Sequence, residues 1–550
     1  MAPRNPRTRL ATHEVMNQPP PMEAIDLFTS DMVLQDAVGR EGGAAHAVHI
    51  SGFGARAGSA ETAEWAMQAN RNAPELKTFD RYGQRIDEVA FHPAYHKLME
   101  LGLSGGFAAR AWTSETGGHV AHAALLYMMA QAEPGVCCPM TMTYAVLPAL
   151  SHAPALASEW RPRIAGGVYD PASRPAAEKR GVTLGMAMTE KQGGSDVRAN
   201  ATEAKPLGGG VFELKGHKWF CSAPMCDAFL TLAYSPGGLS CFLVPRWRKD
   251  GERNAMHIMR LKDKLGDRAN ASSEIEYHGA EAYLVGEEGR GVRTIIEMVQ
   301  HTRLDCTVAP ASYMRQALAN AVWHTSHRTA FQRRLVDQPL MARVLADMAI
   351  ESEAAAVLAF RVARSFDDAA RGDKDAALFQ RIATPVAKYW LNKRVVNFVY
   401  EAMESHGGAG YVEESVMPRL FRQSPLNSIW EGSGNVICLD VLRALGREPE
   451  TAMALIGELE QSRGAHAALD RAIDAVKARL TSPPQEGLAR RLVEEMALAL
   501  QGALLARSAP AFVADAFMAT RFGEGGGNAY GAFDASIDVA KVLERARVAG

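Results

Sequence analysis

Apolar and polar positions fall into blocks of different period along this chain. Up to about residue 180 the spacing is mostly helical, as in 63–69 and 92–102, where apolar residues recur every three or four positions. An opening arm ends in Pro19-Pro20-Pro21, which predicts an extended, stiff piece, and 170–175 (Asp-Pro-Ala-Ser-Arg-Pro) predicts a loop. From about 181 the texture changes. The runs 182–188, 211–215, 229–233, 239–244 and 273–277 are short, apolar or alternating, and separated by turn residues such as Gly208-Gly209-Gly210. Many short strands at close spacing predict an antiparallel sheet or barrel. From Gly291 the helical period returns, over 292–328, 339–371, 377–404 and 434–445, and predicts an antiparallel bundle. A further helical block follows residue 450, broken at Ser482-Pro483-Pro484 and in the glycine-rich stretch 523–527. No internal repeat is visible, and no strand–helix alternation supports a doubly wound sheet. The expected class is therefore α+β, mostly α. The expected domains are 1–180 helical, 181–290 β, 291–447 a helical bundle, and 448–550 a helical extension.

Composition narrows this only a little. In 550 residues, 47% are hydrophobic and 22% charged, which is ordinary for a globular protein. Formal net charge is −2, so the molecule as a whole is no polycation, and a nucleic-acid site must be a local patch. The seven cysteines are scattered without a C-x-x-C spacing, which predicts reduced thiols in a cytoplasmic setting and no zinc site. The adjacent Cys137 and Cys138 are read as two small buried residues before a reactive pair. Arg4, Arg7 and Arg9 are followed by no apolar stretch, so no secretory signal is expected. The longest uncharged run, 134–158, holds four prolines and is rejected as a membrane span.

Five segments are candidates for chemistry. Gly52-Phe53-Gly54, with Gly58, nearly matches a dinucleotide fingerprint, but no strand leads into it, and it is read as a loop. Met188-Thr-Glu-Lys-Gln-Gly-Gly-Ser-Asp-Val197 follows a strand-like run. Its Gly193 and Gly194 permit close approach of a flat or anionic ligand, and Thr189 and Ser195 offer hydroxyl donors. An ordinary hairpin turn explains it equally well. In Gly216-His-Lys-Trp-Phe-Cys-Ser222, Trp219 and Ser222 suit one wall of a planar-cofactor site, or a core tryptophan. Finally, Ser405-His-Gly-Gly-Ala-Gly-Tyr411 ends one helix and Ile429-Trp-Glu-Gly-Ser-Gly-Asn435 opens another. Desolvation of Glu431 between apolar neighbours would raise its pKa towards that of a useful base. A helix-start glutamate favoured by the dipole is the plainer account. The pairs His119/His122 and His324/His327 lack acidic or thiol partners at ligand spacing, so no metal is expected.

Taken in order and spacing, these segments resemble the acyl-CoA dehydrogenase family. Residues 188–197, Lys218-Trp219 to Ser222, Lys264-Leu265-Gly266, Gly286-Glu-Glu-Gly289, Arg328-x-x-Phe331 with Gln338, Leu345-Ala-Asp-Met348, Glu404-Ser-His-Gly-Gly408 and Ile429-Trp-Glu-Gly432 carry the likeness over 60–445. The opening His13-Glu-Val-Met-Asn-Gln18, the run Leu261-Lys-Asp-Lys-Leu-Gly266, the run Asn427 to Asn435 and the C-terminal extension resemble the AidB, alkylation-response branch. The resemblance implies the acyl-CoA dehydrogenase fold with an added helical domain, FAD as cofactor and a homotetramer. It implies that Met186, Met188, Thr189, Gly194 and Ser195 contact the flavin and pyrophosphate, and that Trp219, Phe220 and Ser222 flank the rings. Arg328, Gln338, Gly407 and Gly408 would reach the adenine half, often that of a neighbouring subunit. Glu431 matches the catalytic base, with Ile429, Trp430, Gly432, Ser433 and Asn435 beside the flavin. One departure stands out: Gln332 occupies a position where the family has glycine after Phe331.

The resemblance also implies double-stranded DNA binding through the extension, best matched by Arg443 and Arg521, together with weak, isovaleryl-CoA-like dehydrogenase activity. Residues 451–550 hold 11 Lys and Arg against 12 Asp and Glu, a balance that neither requires nor excludes phosphate contacts. An ordinary acyl-CoA dehydrogenase with a structural extension is the competing expectation, and an assembly protein that keeps FAD as a structural ligand is a third.

Overall fold

The computed structural model describes residues 8–481, 485–523, 526–534 and 536–548. Arg4, Arg7, the Ser482-Pro483-Pro484 break and the centre of the glycine-rich stretch lie outside the described residues.

The first part is helical: α1 (Met32–Arg40), α2 (Ala47–Ala57), α3 (Ala60–Arg71), α4 (Pro93–Ser104), the single turn α5 (Arg110–Thr113), α6 (Gly118–Ala132), α7 (Cys137–Leu150) and α8 (Pro154–Ile164). Two features depart from the sequence reading. A two-stranded antiparallel hairpin, β1 (Glu75–Phe79) and β2 (Arg85–Ala90), lies between α3 and α4. Gly52 and Gly54 are not in a loop but inside α2, and Gly58 caps it. Gly54 is small because a Cβ there would meet the Phe28 backbone nitrogen at 2.8 Å.

The central part contains β3 (Leu184–Ala187), β4 (Glu203–Gly208), β5 (Val211–Ser222), β6 (Ala228–Ser235), β7 (Gly238–Pro245), β8 (Met256–Leu261) and β9 (Ser272–Val285). β6 pairs with both β4 and β7, so the path β6-β4-β5-β9-β7 returns on itself as a small barrel, with β3 and β8 added at its sides. The expected antiparallel arrangement is not complete: β3 runs parallel to β6, because the loop 188–200 and the β4–β5 hairpin carry the chain across before β6 begins.

The bundle consists of α9 (Gly291–His327), the tight hairpin β10 (Thr329–Ala330) and β11 (Arg333–Arg334), α10 (Pro339–Ala370), α11 (Lys374–Ser405), α12 (Gly408–Tyr411), α13 (Met417–Gln423) and α14 (Gly434–Arg447). Among the described residues proline lies inside four helices, α7, α8, α9 and α11, and in two of them the freed carbonyl finds a side chain. Pro310 cannot donate to Cys306 O, which accepts from Asn392 Nδ2 at 2.8 Å; Pro148 leaves Tyr144 O to Trp112 Nε1 at 3.0 Å.

The extension, α15 (Glu450–Glu460), α16 (Ala467–Leu480), α17 (Ala489–Ser508), α18 (Ala511–Arg521) and α19 (Val539–Ala546), packs on α10, α11 and α14. Its contact is polar as well as apolar. Trp390 Nε1 donates to Gln501 Oε1 at 2.9 Å, and Arg361 pairs with Glu458 at 2.7 Å. No helix among the described residues is long and apolar enough to cross a membrane; 134–158 is α7 and the start of α8.

Candidate active site

A buried ion pair shapes the loop after β3. Lys218, inward on β5, donates to Glu190 Oε1 at 2.8 Å and to Leu232 O at 2.8 Å, with both charged side chains fully buried. Burial pushes the Glu190 carboxyl up, but the Ala201 N–H, Lys218 and Thr202 together pull it down to about 2. This pair fixes Thr189 and the turn behind it. Just past Lys218 the β5–β9 register slips: Lys218 faces Ile275 and Cys221 faces Ser273, so one extra residue is accommodated on β5. The bulge takes Trp219 and Phe220 out of the ladder. Trp219 N donates instead to Thr189 O at 2.8 Å, and Phe220 is 52% exposed. Lys262 Nζ lies 3.3 Å from the centre of the Trp219 ring.

The residues present fit a flavin. A Cβ on Gly194 would meet Thr189 Oγ1 at 2.4 Å, so the backbone must stay bare there. Met186 and Met188 are partly buried beside the turn, Phe220 presents an uncovered aromatic face, and Ser222 Oγ lies 3.3 Å from Ser272 Oγ and beside the Cys138 thiol. Gly194→Ala is therefore expected to fold but to purify with several-fold less bound flavin, as read from the ratio of flavin to protein absorbance.

Ser222 is connected to the base segment through loop 264–267. Lys264 Nζ donates to Ser272 Oγ (3.1 Å), pairs with Asp267 (3.1 Å), and Asp267 N donates to Gln423 Oε1 (2.7 Å). From Gln423 the chain runs through Ile429 and Trp430 to Glu431. Glu431 is held at φ +58°, a left-handed backbone unusual for a side-chain-bearing residue, with Gly432 at φ +106°. Thr302 Oγ1 on α9 donates to Glu431 Oε2 at 2.8 Å, and Arg303 Nε donates to the Glu431 carbonyl at 3.1 Å. Burial pushes the Glu431 carboxyl above the usual range, against the Thr302 hydrogen bond and the Lys388 and Arg303 charges. Ile429 is not the source of this burial, since it is 65% exposed, and Trp430 turns its indole N–H to Asn427 Oδ1 at 2.6 Å. Ser433 and Gly434 open α14, and Asn435 Oδ1 accepts from Arg490 of the extension at 2.8 Å.

The predicted adenine group forms a separate cluster. Gln338 Nε2 donates to Ala330 O at 3.1 Å, tying it to the β10–β11 turn that follows Arg328. The His324 and His406 rings, 4.7 Å apart, join this end of α9 to Gly407 and Gly408, where a Cβ would meet nothing. Arg328 is half-buried, with Nη1 donating to Asn17 O at 2.5 Å. At 1.5 Å per residue, Thr302 and His324 are about 33 Å apart along α9. Within one chain the base and the adenine group thus lie towards opposite ends of α9. A cleft of about 590 Å³ under Pro19–Pro21 lies at this second end, against Trp323 and His324. Phe331 and Gln332 have φ +50° and +65°, the two positive values of a tight hairpin turn, which explains why glycine suits the Gln332 position.

Several residues singled out in the sequence have other partners here. Arg521 is a correction: it points inward, paired to Asp347 (2.7 Å) and Glu351 (2.9 Å), with Arg394 also on Glu351 (2.6 Å), so its guanidinium is not free for phosphate. Arg443 is half-exposed, sharing Asp440 with Arg303 and Arg381. His122 bonds Asp305 at 2.8 Å, His119 bonds the Tyr144 hydroxyl at 2.8 Å, and burial pushes both the Cys137 and Cys138 thiols up. The sequence reading missed Glu190–Lys218 as a pair, Thr302, Arg303 and Lys388. A lysine inside the apolar run Val386-Ala-Lys-Tyr-Trp-Leu391 was a visible signal.

Comparison with known proteins matches this geometry. Family models align as the adaptive response protein AidB N-terminal domain over residues 17–171, the acyl-CoA dehydrogenase middle domain over 185–280 and the acyl-CoA dehydrogenase C-terminal domain over 289–446. The chain is 43% identical over 509 residues to "Putative acyl-CoA dehydrogenase AidB" of Escherichia coli (strain K12), covering 92% of this chain and 94% of that one. It is 31% identical over 472 residues to "Acyl-CoA dehydrogenase family member 11" of Caenorhabditis elegans, covering 83% and 76%. The crystal structure of C. elegans ACDH-11 in complex with C11-CoA superposes with a TM-score of 0.83 at 26% identity, covering 99% of this chain and 95% of that one. A 37-residue helix that braces a loop glutamate, a bulged barrel strand and an added helical extension are thus the parts of one known architecture: the chain belongs to the acyl-CoA dehydrogenase family, FAD-dependent oxidoreductases, and is AidB-like.

Proposed function

We propose that Glu431 removes the α-proton of an acyl-CoA thioester, and that the chain also binds double-stranded DNA through its C-terminal extension in the cytoplasmic response to DNA alkylation. The observation that carries the first half is the placement of Glu431: a carboxyl raised by burial, hydrogen-bonded to Thr302 and held by its own backbone carbonyl to Arg303. FAD, when bound, accepts the β-hydride. The chain's part is to hold the base in position, keep water from the reacting carbons and place Trp219, Phe220 and Ser222 along the rings. The C11-CoA complex of the C. elegans protein supports a thioester ligand here, and a short branched acyl group such as isovaleryl is the class proposed, with weak turnover. Met186, Met188, Thr189, Gly194 and Ser195 serve the flavin and pyrophosphate. The distance between the base and the Arg328, Gln338, Gly407 and Gly408 cluster supports a homotetramer in which that cluster meets a neighbour's adenine.

For DNA, the exposed cations beside α14 are the proposed contacts, Arg443 first and Arg490 with it. The extension's other arginines favour a second reading, a packing element alone, because Arg463, Arg479, Arg491 and Arg507 are all paired with carboxylates and Arg521 is inward. A salt series with a duplex of random sequence separates the two. DNA binding predicts affinity falling steeply with salt, and Arg443→Ala lowering the log–log slope by about one. No binding at low salt would leave the extension as a packing element. Arg521→Ala is expected to loosen the extension from α10 without removing a phosphate contact.

A further inference from the structure

Lys388, in the middle of α11, is 1% exposed, and among the described residues no carboxylate lies within ion-pair distance of it. A buried ammonium without a counter-ion is costly, so its hydrogen-bond partners mark what it is for. Nζ donates to Trp430 O at 3.0 Å and to Gly432 O at 2.7 Å, the carbonyls on either side of Glu431. The carbonyl between them is taken by Arg303. Three successive carbonyls are thus held by two cations from two different helices. Between them the Glu431 backbone keeps its left-handed φ of +58°, a conformation that persists only where surrounding contacts over-determine it. Arg303 is already matched by Asp440 at 2.8 Å, whereas Lys388 spends its charge on the loop alone.

We infer that Lys388 is the positioning residue of the catalytic carboxylate: its ammonium holds the 430–432 peptide in the strained shape that aims Glu431 at the substrate α-carbon. This rests on the reading of Glu431 as the base. Lys388 does not touch substrate; it acts through the loop, and its two hydrogen bonds to the loop carbonyls are strong, charge-assisted ones only while the amine is protonated. Burial pushes its pKa down, with Arg303 and Lys393 acting in the same direction and Cys306 and Glu431 opposing, to about 8. Cys306 and Arg303 face it from α9, Glu431 from the loop and Lys393 from its own helix.

The test separates proton removal from oxidation. In 3-thiaoctanoyl-CoA sulfur replaces the β-carbon, so no hydride can leave, and exchange of the α-protons with D2O in the FAD-loaded protein reports the base alone. In the unaltered protein, exchange should rise with pH as Glu431 ionises and fall at least five-fold between pH 7.5 and 9.5, with the flavin spectrum unchanged. Exchange that stays flat to pH 9.5 overturns the proposal, and this arm needs no variant to fold. Lys388→Met should slow exchange ten-fold or more at pH 7.5 with ligand Kd and flavin content unchanged, and should lack the alkaline fall. Exchange at the unaltered rate in that variant also overturns it. Glu431→Gln provides the control: if it exchanges at the unaltered rate, the base assignment has failed, independently of Lys388.

Discussion

Replacing Glu431 by Gln is expected to slow reduction of bound flavin by isovaleryl-CoA by about 10²–10⁴-fold, the range for losing a positioned general base. Thioester binding and the flavin spectrum should survive, because the amide keeps the size of the carboxyl and can still accept from Thr302. Rapid-mixing absorbance at the flavin band measures it. The pH dependence has a definite sign. A base works ionised, and burial raises the Glu431 carboxyl above its usual value, so the rate should climb with pH through a midpoint above that of an exposed glutamate. A variant that keeps the unaltered rate would show that the hydrogen-bonded carboxylate is a structural brace.

The second large effect is expected far from the base. Lys218→Met leaves the Glu190 carboxylate buried without its cation, and breaking such a pair from one side costs about 3–5 kcal/mol. Calorimetry should show a lower unfolding temperature, and the purified protein should carry less FAD, since Thr189 and Trp219 lose their common anchor. The double variant Lys218→Met, Glu190→Gln should recover part of the stability, because no unpaired charge remains. Acid should act in the same direction. The native state holds Glu190 at about 2, below its ordinary 4.5, so the pair's contribution is complete above about 4.5 and is lost as pH falls towards 2.

Much of the fold could be read from the pattern of the chain, and the reasons for the gaps are local. The long bundle helices announced themselves through sustained periodicity, and the barrel strands β6 and β7 through continuous apolar runs. β4 reads Glu-Ala-Lys-Pro-Leu-Gly, with no alternation to find, because it is an exposed strand set by its partner β5. The glycines of α2 look like a loop when counted as propensity; the close passage of 26–28 explains Gly54, and nothing in the structure requires Gly52. At the candidate site, motif residues such as Glu431, Thr189 and Trp219 stood out, whereas their supports did not. Thr302, Arg303 and Lys388 come from helices 40 to 130 positions away in the chain, and nothing in a helical period distinguishes a residue that grips a distant loop. Arg521 failed for the complementary reason: a sequence displays an arginine's charge but not the direction in which it points.

The proline at position 310 gives α9 a mechanical character of its own. The turn bearing Thr302 and Arg303 lies on one side of it and the turn bearing His324 on the other. The helix is therefore a shaft with a coupling in the middle, pinned by Asn392 at the point where a rung is missing. A displacement of the His324 end is taken up at that coupling before it reaches the turn that aims the Glu431 carboxylate.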